Sequence, residues 1–458
     1  MKKSKIEEVI NIGLKQGAEF VDLFFEDKIN FSMNLISNKI NNCSTDFING
    51  VGIRVYTDST VLYSYTNNIT FKSIKENISK LLINSNNNNN KIKLERIVKK
   101  PENKKIIHLK DYSKEKIKQI LINMNNKIRQ MDSRIYQVEI KLKHSLQNVL
   151  IANSYGKYRK DQRVRTIMYL KIFVREGNNI GTGSNRFGHL GGFEVFEKFD
   201  TDSFINNAYN MAINNLNAIN IEGGKMPVVI GNGFGAVIFH EACAHSLEAT
   251  TVANGISSFA NMIGSKVVSD KVTLIDNGAI NDVYGSTFMD DEGEATRKNV
   301  LIEKGVLKSY LIDTINGFKM NQKSNGCARR ESYYYAPTSR MNNTYLEVGN
   351  DKIEDMIRSI KYGLYATDFS GGAVNPVTGD YNFTVTSAYL IENGEITKPV
   401  KDVSLIGNGL ETIKKIEMVS DDLEFSPGVC GSVSGKIPVT IGQPTIKVQE
   451  ILVGGGRE

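Results

Sequence analysis

Cysteine is scarce in this sequence and tryptophan is missing. The chain has no tryptophan and only four cysteines among 458 residues, and no two cysteines form a CxxC pair. So few cysteines exclude a disulfide-stapled scaffold and indicate a reducing compartment, where cysteine serves as a metal ligand, a nucleophile or a core residue. The missing tryptophan accompanies heavy use of asparagine, isoleucine and lysine, a bias that need not have a functional meaning.

Long apolar runs and a strong charge imbalance are also missing. No run of about 18 apolar residues occurs, so we expect no membrane-spanning helix. The first eight residues turn acidic where a secretory signal would become apolar, and we therefore expect a soluble, cytoplasmic protein. The 57 basic and 50 acidic residues are dispersed rather than concentrated in one stripe, so no nucleic-acid partner is expected.

Hydrophobic patterning divides the chain into three folded units of an α+β protein. Residues 1–83 combine an amphipathic helix with alternating strands and are predicted to form an N-terminal α+β domain. The asparagine-rich stretch within residues 84–103 cannot bury apolar surface and is predicted to be a linker or loop. Residues 104–222 are predicted to form a middle α+β domain. Residues 223–458 are rich in glycine and Asn-Gly turns, which indicates a large C-terminal domain of mostly antiparallel curved sheet.

Individual elements can be placed from the same patterns. Apolar residues at helical spacing predict helices over residues 71–83 and 201–216. Period-two alternation predicts separate strands at residues 136–142, 149–154 and 163–175.

The most informative segment runs from Val228 to His245 and has the pattern of a strand, a glycine turn and a helix. Its glycines are spaced GxGxG rather than GxGxxG, which argues against a dinucleotide site. The helix carries His240-Glu241-x-x-x-His245, two of the five histidines in the chain. Residues five apart lie about 140° apart around a regular α-helix, too far to share one ion. The spacing therefore requires a π-type widening or a helix that ends before His245.

These residue types indicate metal-assisted hydrolysis. Two imidazoles and one further ligand can hold Zn²⁺ with one position open for water, whose pKa the ion lowers towards ~7. Glu241, next to a ligand, is a candidate general base for the proton of that water. The alternative is two buried histidines with a surface glutamate. The third ligand is left open among four candidates by residue type: Cys243, Cys327, Cys430 and Glu248. Of these, Cys430 lies in a glycine-flanked turn that favours an accessible thiol.

Motifs spread along nearly the whole chain resemble the TldD/PmbA family, and the TldD type in particular. The matching motifs are His240–Glu248, Met289–Gly293, Leu301–Leu307, Arg330–Tyr333, Arg340–Thr344, Gly371–Gly379, Gly442–Thr445 and Val453–Gly455. The resemblance implies a zinc metallopeptidase that acts on unfolded or short peptides, which it holds by backbone hydrogen bonds like an added strand. It also implies that His240, His245 and Cys430 bind zinc and that Glu241 is the catalytic general base.

The resemblance further implies a partner subunit. TldD-type chains often pair with a PmbA-type chain that lacks the zinc motif, and this chain resembles the catalytic partner. It departs from the family pattern at Ala244 and Ser246, where glycines are typical, and at Thr250, where an acid is typical. A homodimer therefore remains open beside the heterodimer. A non-catalytic binding or scaffold subunit of the same architecture is the alternative to an enzyme.

Two groups of charged residues have a structural and a functional interpretation. The acidic segment 290–292 is expected to be a structural turn, with a position lining the peptide site as the alternative. Arg329, Arg330 and Arg340 are expected to be structural ion-pair partners, with a role in holding a peptide carboxylate as the alternative.

Overall fold

The computed structural model describes residues 1–81, 91–95, 106–375 and 378–456 of the chain. The fold is mixed α+β and rich in strands, which confirms the predicted class. Most of the predicted linker at 84–103 lies outside the described residues. Within the described ranges, no helix is long and apolar enough to cross a membrane.

One six-stranded antiparallel sheet is shared by the N-terminal and middle parts of the chain. Its strands are β1 (Phe20–Ile36), β2 (Lys39–Thr57), β3 (Thr60–Thr66), β4 (Ile135–Asn153), β5 (Tyr158–Glu176) and β6 (Asn179–His189). They lie in the order β3-β2-β1-β4-β5-β6, so the pairing of β1 with β4 joins the two parts. The division into an N-terminal and a middle domain stays a prediction.

Helices pack against alternate side chains of this sheet. They are α1 (Lys3–Lys15), α2 (Phe71–Leu81), α3 (Lys114–Met131) and α4 (Thr201–Leu216). Val21 of β1 belongs to a buried cluster with Ile6 of α1, and Phe31 of the same strand to a cluster with Ile117 of α3 and Phe204 of α4. The prediction of a helix at 201–216 is confirmed, and the helix predicted at 71–83 is described as far as Leu81.

The β1 side chains on the opposite face of this sheet contact the C-terminal part of the chain. Phe24 packs with Tyr333, and the Glu26 carboxylate accepts a hydrogen bond from the Tyr333 backbone N–H at 2.8 Å. Asp22 accepts a hydrogen bond from the Arg330 guanidinium at 3.2 Å and is fully buried. This end of β1 is therefore buried on both faces, where period-two alternation predicts burial on one.

The prediction of two separate strands at 136–142 and 149–154 is wrong, because both belong to the continuous strand β4. The polar residues between them find partners across the sheet. His144 Nδ1 lies 3.0 Å from Thr166 Oγ1, and Gln147 Nε2 donates to Glu26 Oε1 at 2.7 Å. Buried polar groups with such partners do not interrupt a strand, although they interrupt the hydrophobic pattern of the sequence.

The C-terminal part is built from short strands and helices. Its strands are β7 (Gly224–Ile230), β8 (Leu274–Asn277), β9 (Lys298–Glu303), β10 (Val306–Leu307), β11 (Ala328–Arg329), β12 (Thr338–Ser339), β13 (Asn343–Leu346), β14 (Tyr362–Val374), β15 (Asp380–Glu392), β16 (Glu395–Val400), β17 (Ser404–Asn408), β18 (Ile416–Val419), β19 (Glu424–Ser432), β20 (Gly435–Gln443) and β21 (Ile446–Gly454). Its helices are α5 (Val237–Ala242), α6 (Ala249–Val252), α7 (Thr314–Met320), α8 (Ile353–Arg358) and α9 (Gly409–Lys414).

These strands form two larger sheets rather than the single sheet expected. One has the order β10-β9-β8-β13-β20-β19, and the other has the order β14-β7-β21-β17-β15-β16, with β18 beside β21. Antiparallel pairs predominate among the described strands, and the parallel pairs are β13–β20 and β7–β14. A large buried cluster draws side chains from both sheets and from α5, for example Val228, Ile238, Leu274 and Ile441.

The acidic segment 290–292 is fully buried. The Asp290 carboxylate accepts hydrogen bonds from the backbone N–H groups of Glu292 and Ala328. The Asp291 carboxylate accepts a hydrogen bond from the Arg163 guanidinium at 2.5 Å. These contacts favour the structural interpretation of the turn over a position that lines a peptide site.

Candidate metal centre

Helix α5 carries the first histidine of the sequence motif. β7 leads into the helix through a turn at 233–236, where Gly233 has a φ of +66° that glycine adopts without steric cost. The helix ends at Ala242, which is one of the two arrangements that the histidine spacing allows. Cys243 departs from helical geometry with φ −127° and ψ −55°, and residues 244–247 form a single 3₁₀ turn.

Just after the end of α5, the backbone forms hydrogen bonds with the backbone of Leu311. The Leu311 N–H donates to the Leu247 carbonyl at 2.9 Å, and the Ala249 N–H donates to the Leu311 carbonyl at 2.8 Å. These bonds hold the chain in an extended bridge directly after the 3₁₀ turn. The imidazole rings of His240 and His245 meet edge to face, with centroids 5.1 Å apart and planes at 78°.

Cys430 reaches the two histidines from a different part of the fold. It lies on β19, the edge strand of its sheet, and its Sγ is 3.2 Å from His245 Nε2. One candidate ligand atom from each of His240, His245 and Cys430 lies within 4.8 Å of the other two. His240 and Cys430 are each 4% exposed, so the expectation of an accessible thiol in a glycine-flanked turn is wrong: Cys430 is buried and lies within a strand. The structure therefore brings together the three residues that the family resemblance implies.

The other candidate ligands are placed elsewhere. Cys243 is buried among apolar side chains of the C-terminal core. Cys327 is also buried, and its sulfur accepts a hydrogen bond from Asn299 Nδ2 at 3.3 Å. Glu248 does lie next to His245, but its Oε1 is 3.1 Å from Nδ1, on the opposite side of the ring from Cys430.

Glu241 is the most solvent-accessible polar side chain of the motif. Its side chain is 37% exposed, compared with 19% for that of His245. Glu241 Oε2 lies 3.6 Å from His245 Nε2, the nitrogen that faces Cys430. A carboxylate in this position touches both the solvent and the cluster, which is the position that a proton acceptor for an incoming water needs.

The cluster shifts the acidity of two of its own members. Burial alone would raise the pKa of the Cys430 thiol, but the neighbouring His240 and His245 imidazoles outweigh burial and lower that pKa to about 4. Burial would lower the pKa of His245, yet the Glu248 carboxylate and the contact with Cys430 raise that pKa well above its ordinary value. The cluster therefore favours a thiolate, the form of cysteine that binds metal.

The residues of the cluster fit a zinc ion. Two imidazoles and a thiolate are a donor set that zinc takes in proteins, and a tetrahedral ion held by three such ligands keeps one position open. His240 Nδ1 is buried and lacks a hydrogen-bond partner among the described residues. A buried nitrogen without a partner costs free energy, so some ligand or solvent contact at this ring is favoured.

The sequence did not reveal that one of the three arginines, which pairs with Glu248 at 3.8 Å, also contacts the cysteine strand. Arg340 is fully buried, and its Nη2 donates to the Cys430 carbonyl at 2.8 Å. It was expected among three arginines with structural ion pairs, and nothing in the local sequence separates it from the other two. Its distance to Cys430 along the chain is too large for any local pattern to reveal the contact.

Comparison with known proteins relates the whole chain to one family. Residues 21–84, 107–216 and 223–455 match domain 1, the central domain and the C-terminal domain of the PmbA/TldA metallopeptidases. A metalloprotease TldD homolog of Buchnera aphidicola is 34% identical over 95% of this chain and 93% of its own length. A zinc metalloprotease TldD homolog of Saccharolobus solfataricus is 30% identical over 57% of this chain and 58% of its own length.

A solved structure shows the same fold. The crystal structure of TldE from Thermococcus kodakarensis superposes with a TM-score of 0.78, covers 98% of this chain and all of its own, and is 21% identical. At that identity the likeness concerns the fold. The sequence matches over all three parts of the chain, together with the histidine and cysteine cluster at the end of α5, identify the chain as a member of the PmbA/TldD metallopeptidase family.

Proposed function

We propose that this protein is a zinc-dependent peptidase that hydrolyses short or unfolded peptides. In this proposal His240, His245 and Cys430 hold the ion and Glu241 is the general base. The observation that carries the proposal is the convergence of the three ligand atoms to within 4.8 Å of one another. The name of the Saccharolobus solfataricus relative, a zinc metalloprotease, supports zinc as the metal.

Zinc held by His240, His245 and Cys430 would supply Lewis acidity and would lower the pKa of water, so that a nucleophile would be available near neutral pH. The chain itself supplies proton transfer. The Glu241 carboxylate accepts the proton of the attacking water and then donates it to the leaving amine of the cleaved peptide bond. Its partial exposure lets it exchange protons with solvent between turnovers.

The position of Cys430 on an edge strand favours an extended peptide as the substrate. An edge strand presents backbone N–H and C=O groups that an incoming chain can pair with. Val429, next to Cys430, is 52% exposed. A folded protein has few extended segments free to pair in this way, so unfolded or short peptides are the substrate class that fits best.

A second chemistry is favoured by one observation. The 3.2 Å contact between Cys430 Sγ and His245 Nε2 is also the arrangement of a cysteine nucleophile beside its base. The presence of a second imidazole, His240, favours the metal interpretation. A chelator that abolishes hydrolysis, with recovery on addition of zinc, supports the metal site, whereas hydrolysis that resists chelation but is lost on thiol alkylation contradicts it.

The site requires a test that separates metal binding from hydrolysis. Elemental analysis of the chain purified without added metal is expected to give about one zinc per chain, as one site with three ligands holds one ion. Glu241→Gln is expected to retain that zinc and to lower the rate of peptide hydrolysis by about 10²- to 10⁴-fold, the usual contribution of general acid–base catalysis.

Glu294→Gln is a matched control, because the Glu294 side chain is 35% exposed and pairs with Lys157 away from the cluster. It is expected to leave hydrolysis unchanged. Unchanged turnover in Glu241→Gln would remove Glu241 from the mechanism. Absence of zinc from the wild type, with none taken up on addition, would favour the non-catalytic binding subunit.

Assembly with a second subunit is part of the proposal. The partner is a PmbA-type chain or a second copy of this chain, as the family resemblance implies. Light scattering of the purified chain, alone and after co-expression with a PmbA-type chain, distinguishes a homodimer from a heterodimer. A monomer in both preparations would contradict both forms of assembly.

A further inference from the structure

The two ring nitrogens of His245 face different groups. Nε2 lies 3.2 Å from Cys430 Sγ, within the cluster of candidate ligands, and Nδ1 lies 3.1 Å from Glu248 Oε1. An ionised carboxylate can only accept hydrogen bonds, so with Glu248 ionised we assign the proton of the His245 ring to Nδ1, whose N–H donates a hydrogen bond to Glu248 Oε1. In the neutral ring this leaves the lone pair on Nε2, directed towards the cluster.

Glu248 is held in place by its own surroundings. Its side chain is 7% exposed, and its backbone pairs with that of Leu311. Its Oε1 lies 3.8 Å from Nε of the buried Arg340 guanidinium, an ion pair without a direct hydrogen bond from that nitrogen. A buried carboxylate whose backbone is paired and whose charge lies near a buried guanidinium restrains the orientation of the imidazole that it contacts.

Arg340 connects Glu248 to the other half of the cluster. Its Nη2 donates to the Cys430 carbonyl at 2.8 Å, while its Nη1 donates to Ser434 Oγ at 2.9 Å and to the Gly435 carbonyl at 3.1 Å. These three acceptors lie along the hairpin of β19 and β20, and Gly435 has a φ of +85° in its turn. One guanidinium therefore touches both the cysteine strand and the carboxylate behind His245.

We propose that Glu248 and Arg340 are a positioning pair that orients His245 and sets the distance from its ring to Cys430. This inference rests on the proposed zinc site. In this proposal Glu248 acts through the ring of His245 rather than as a ligand, and Arg340 acts through Glu248 and the Cys430 backbone. Carboxylates that accept from the second nitrogen of a ligating histidine fix its tautomer and ring orientation, and their loss commonly weakens metal binding.

The test measures metal binding by the full chain, independently of hydrolysis. Zinc affinity is obtained by competition with a chromophoric chelator for Glu248→Gln and Arg340→Lys. Both variants are expected to bind zinc about 10- to 100-fold more weakly than the wild type, the range found when such outer contacts are lost. In cobalt-substituted protein the thiolate-to-cobalt absorption should persist, because Cys430 still ligates, while the ligand-field bands should shift with the changed orientation of His245.

The chain offers matched controls for both variants. Glu26 is a buried glutamate that accepts hydrogen bonds from the Tyr333 backbone and from Gln147. Arg329 is a buried arginine that donates to the Pro438 carbonyl on β20 but has no contact with the cluster among its described hydrogen bonds. Glu26→Gln and Arg329→Lys should leave zinc affinity and the cobalt spectrum unchanged in the folded fraction, even where they lower thermal stability.

Each remaining outcome has a definite meaning. The double variant Glu248→Gln/Arg340→Lys should lose no more zinc affinity than the single variant with the larger loss. That result supports a pair that acts as a unit. Affinities and cobalt spectra of Glu248→Gln and Arg340→Lys that equal those of the wild type would overturn the positioning role and leave the zinc site intact. If Glu248→Gln loses zinc affinity to the same extent as Cys430→Ser, Glu248 is a ligand, and the positioning role is overturned.

A wild type that takes up no zinc would overturn both the zinc site and the positioning role. Glu248→Gln decides the question if Arg340→Lys does not fold.

Discussion

Two buried polar clusters in this molecule are built from residues far apart in the sequence, and they differ in how completely their members satisfy one another. At the contact between β1, β2 and the acidic turn, Arg54 donates to Asp22 at 2.5 Å and to Glu292 at 2.6 Å. Glu292 also accepts hydrogen bonds from the backbone N–H and hydroxyl of Thr314. Each of these two carboxylates is therefore paired with the Arg54 guanidinium.

The histidine and cysteine cluster is assembled differently. Its members all carry atoms that could donate an electron pair to a metal ion, and His240 Nδ1 has no partner within the described part of the chain. Glu241 at its edge is partly open to solvent. The comparison teaches that a buried cluster in which each carboxylate is hydrogen-bonded to a guanidinium serves stability, whereas one that gathers electron-pair donors around an unpartnered ring nitrogen indicates a binding site.

The largest change in stability is expected from a substitution that removes the guanidinium of the first cluster. Arg54→Met leaves Asp22 and Glu292 buried without their guanidinium and should lower the free energy of unfolding by about 3–5 kcal/mol. Urea unfolding of the metal-free chain measures this change. Zinc affinity of the folded fraction should stay the same, because Arg54 is not among the contacts of the histidine cluster.

The loss of stability in Arg54→Met can be compared with the loss on breaking an exposed ion pair. Lys298 and Glu347 lie 3.2 Å apart with about half of each side chain exposed. Lys298→Met should cost at most about 1 kcal/mol, since solvent screens such pairs. Equal losses for the two variants would mean that burial and pairing do not distinguish the first cluster.

The next largest effect breaks the second cluster. Cys430→Ser should weaken zinc binding by more than the ~100-fold that marks the loss of an outer contact, because it removes a thiolate ligand outright. In the metal-free state its unfolding curve should remain close to that of the wild type. Calorimetry with and without zinc checks both points: zinc at 100 times its dissociation constant should stabilise the wild type by about 2.7 kcal/mol and the variant hardly at all.

Stabilisation of Cys430→Ser by zinc to the wild-type extent would contradict the role of Cys430 as a ligand. Cys327→Ser is the control, because Cys327 is equally buried but hydrogen-bonded to Asn299. It should leave zinc affinity unchanged.

The smallest expected effect is the pH dependence of the Cys430 thiol, which can be measured without disrupting either cluster. Burial raises the pKa of the Cys430 thiol, but the two imidazoles outweigh it and bring that pKa to about 4 in the metal-free protein. The thiolate should therefore form as the pH rises through about 4 and be lost as the pH falls through that value. The ultraviolet absorbance of the thiolate, taken as the difference between the wild type and Cys430→Ser, follows this titration. A midpoint near that of an ordinary thiol, about 8.5, would show that the imidazoles do not hold the thiolate.

Local elements were predictable where a pattern repeats within a few residues. The helix Thr201–Leu216 follows from its apolar stripe, and the strand, glycine turn and helix before His240 follow from the sequence of that segment. The continuous strand β4 was not predictable, because His144 and Gln147 interrupt its pattern and only their partners on β5 and β1 explain why they are tolerated.

The candidate site shows the same division between local and distant information. The rarity of histidine and the spacing of His240 and His245 pointed to the site, and the spacing limited the helix to two forms. Residue type alone left Cys243, Cys327, Cys430 and Glu248 open as third ligands, and the family resemblance favoured Cys430.

By itself, then, the sequence determined the two candidate histidines, the family and the short elements that carry the motif, because residue type and local periodicity can be read from neighbouring residues. Only the tertiary structure decided that α5 ends at Ala242, that Cys430 meets His245, and that Glu248 faces the other side of the ring. Each of these depends on backbone pairing or side-chain contact between segments distant along the chain, for which no local pattern carries information.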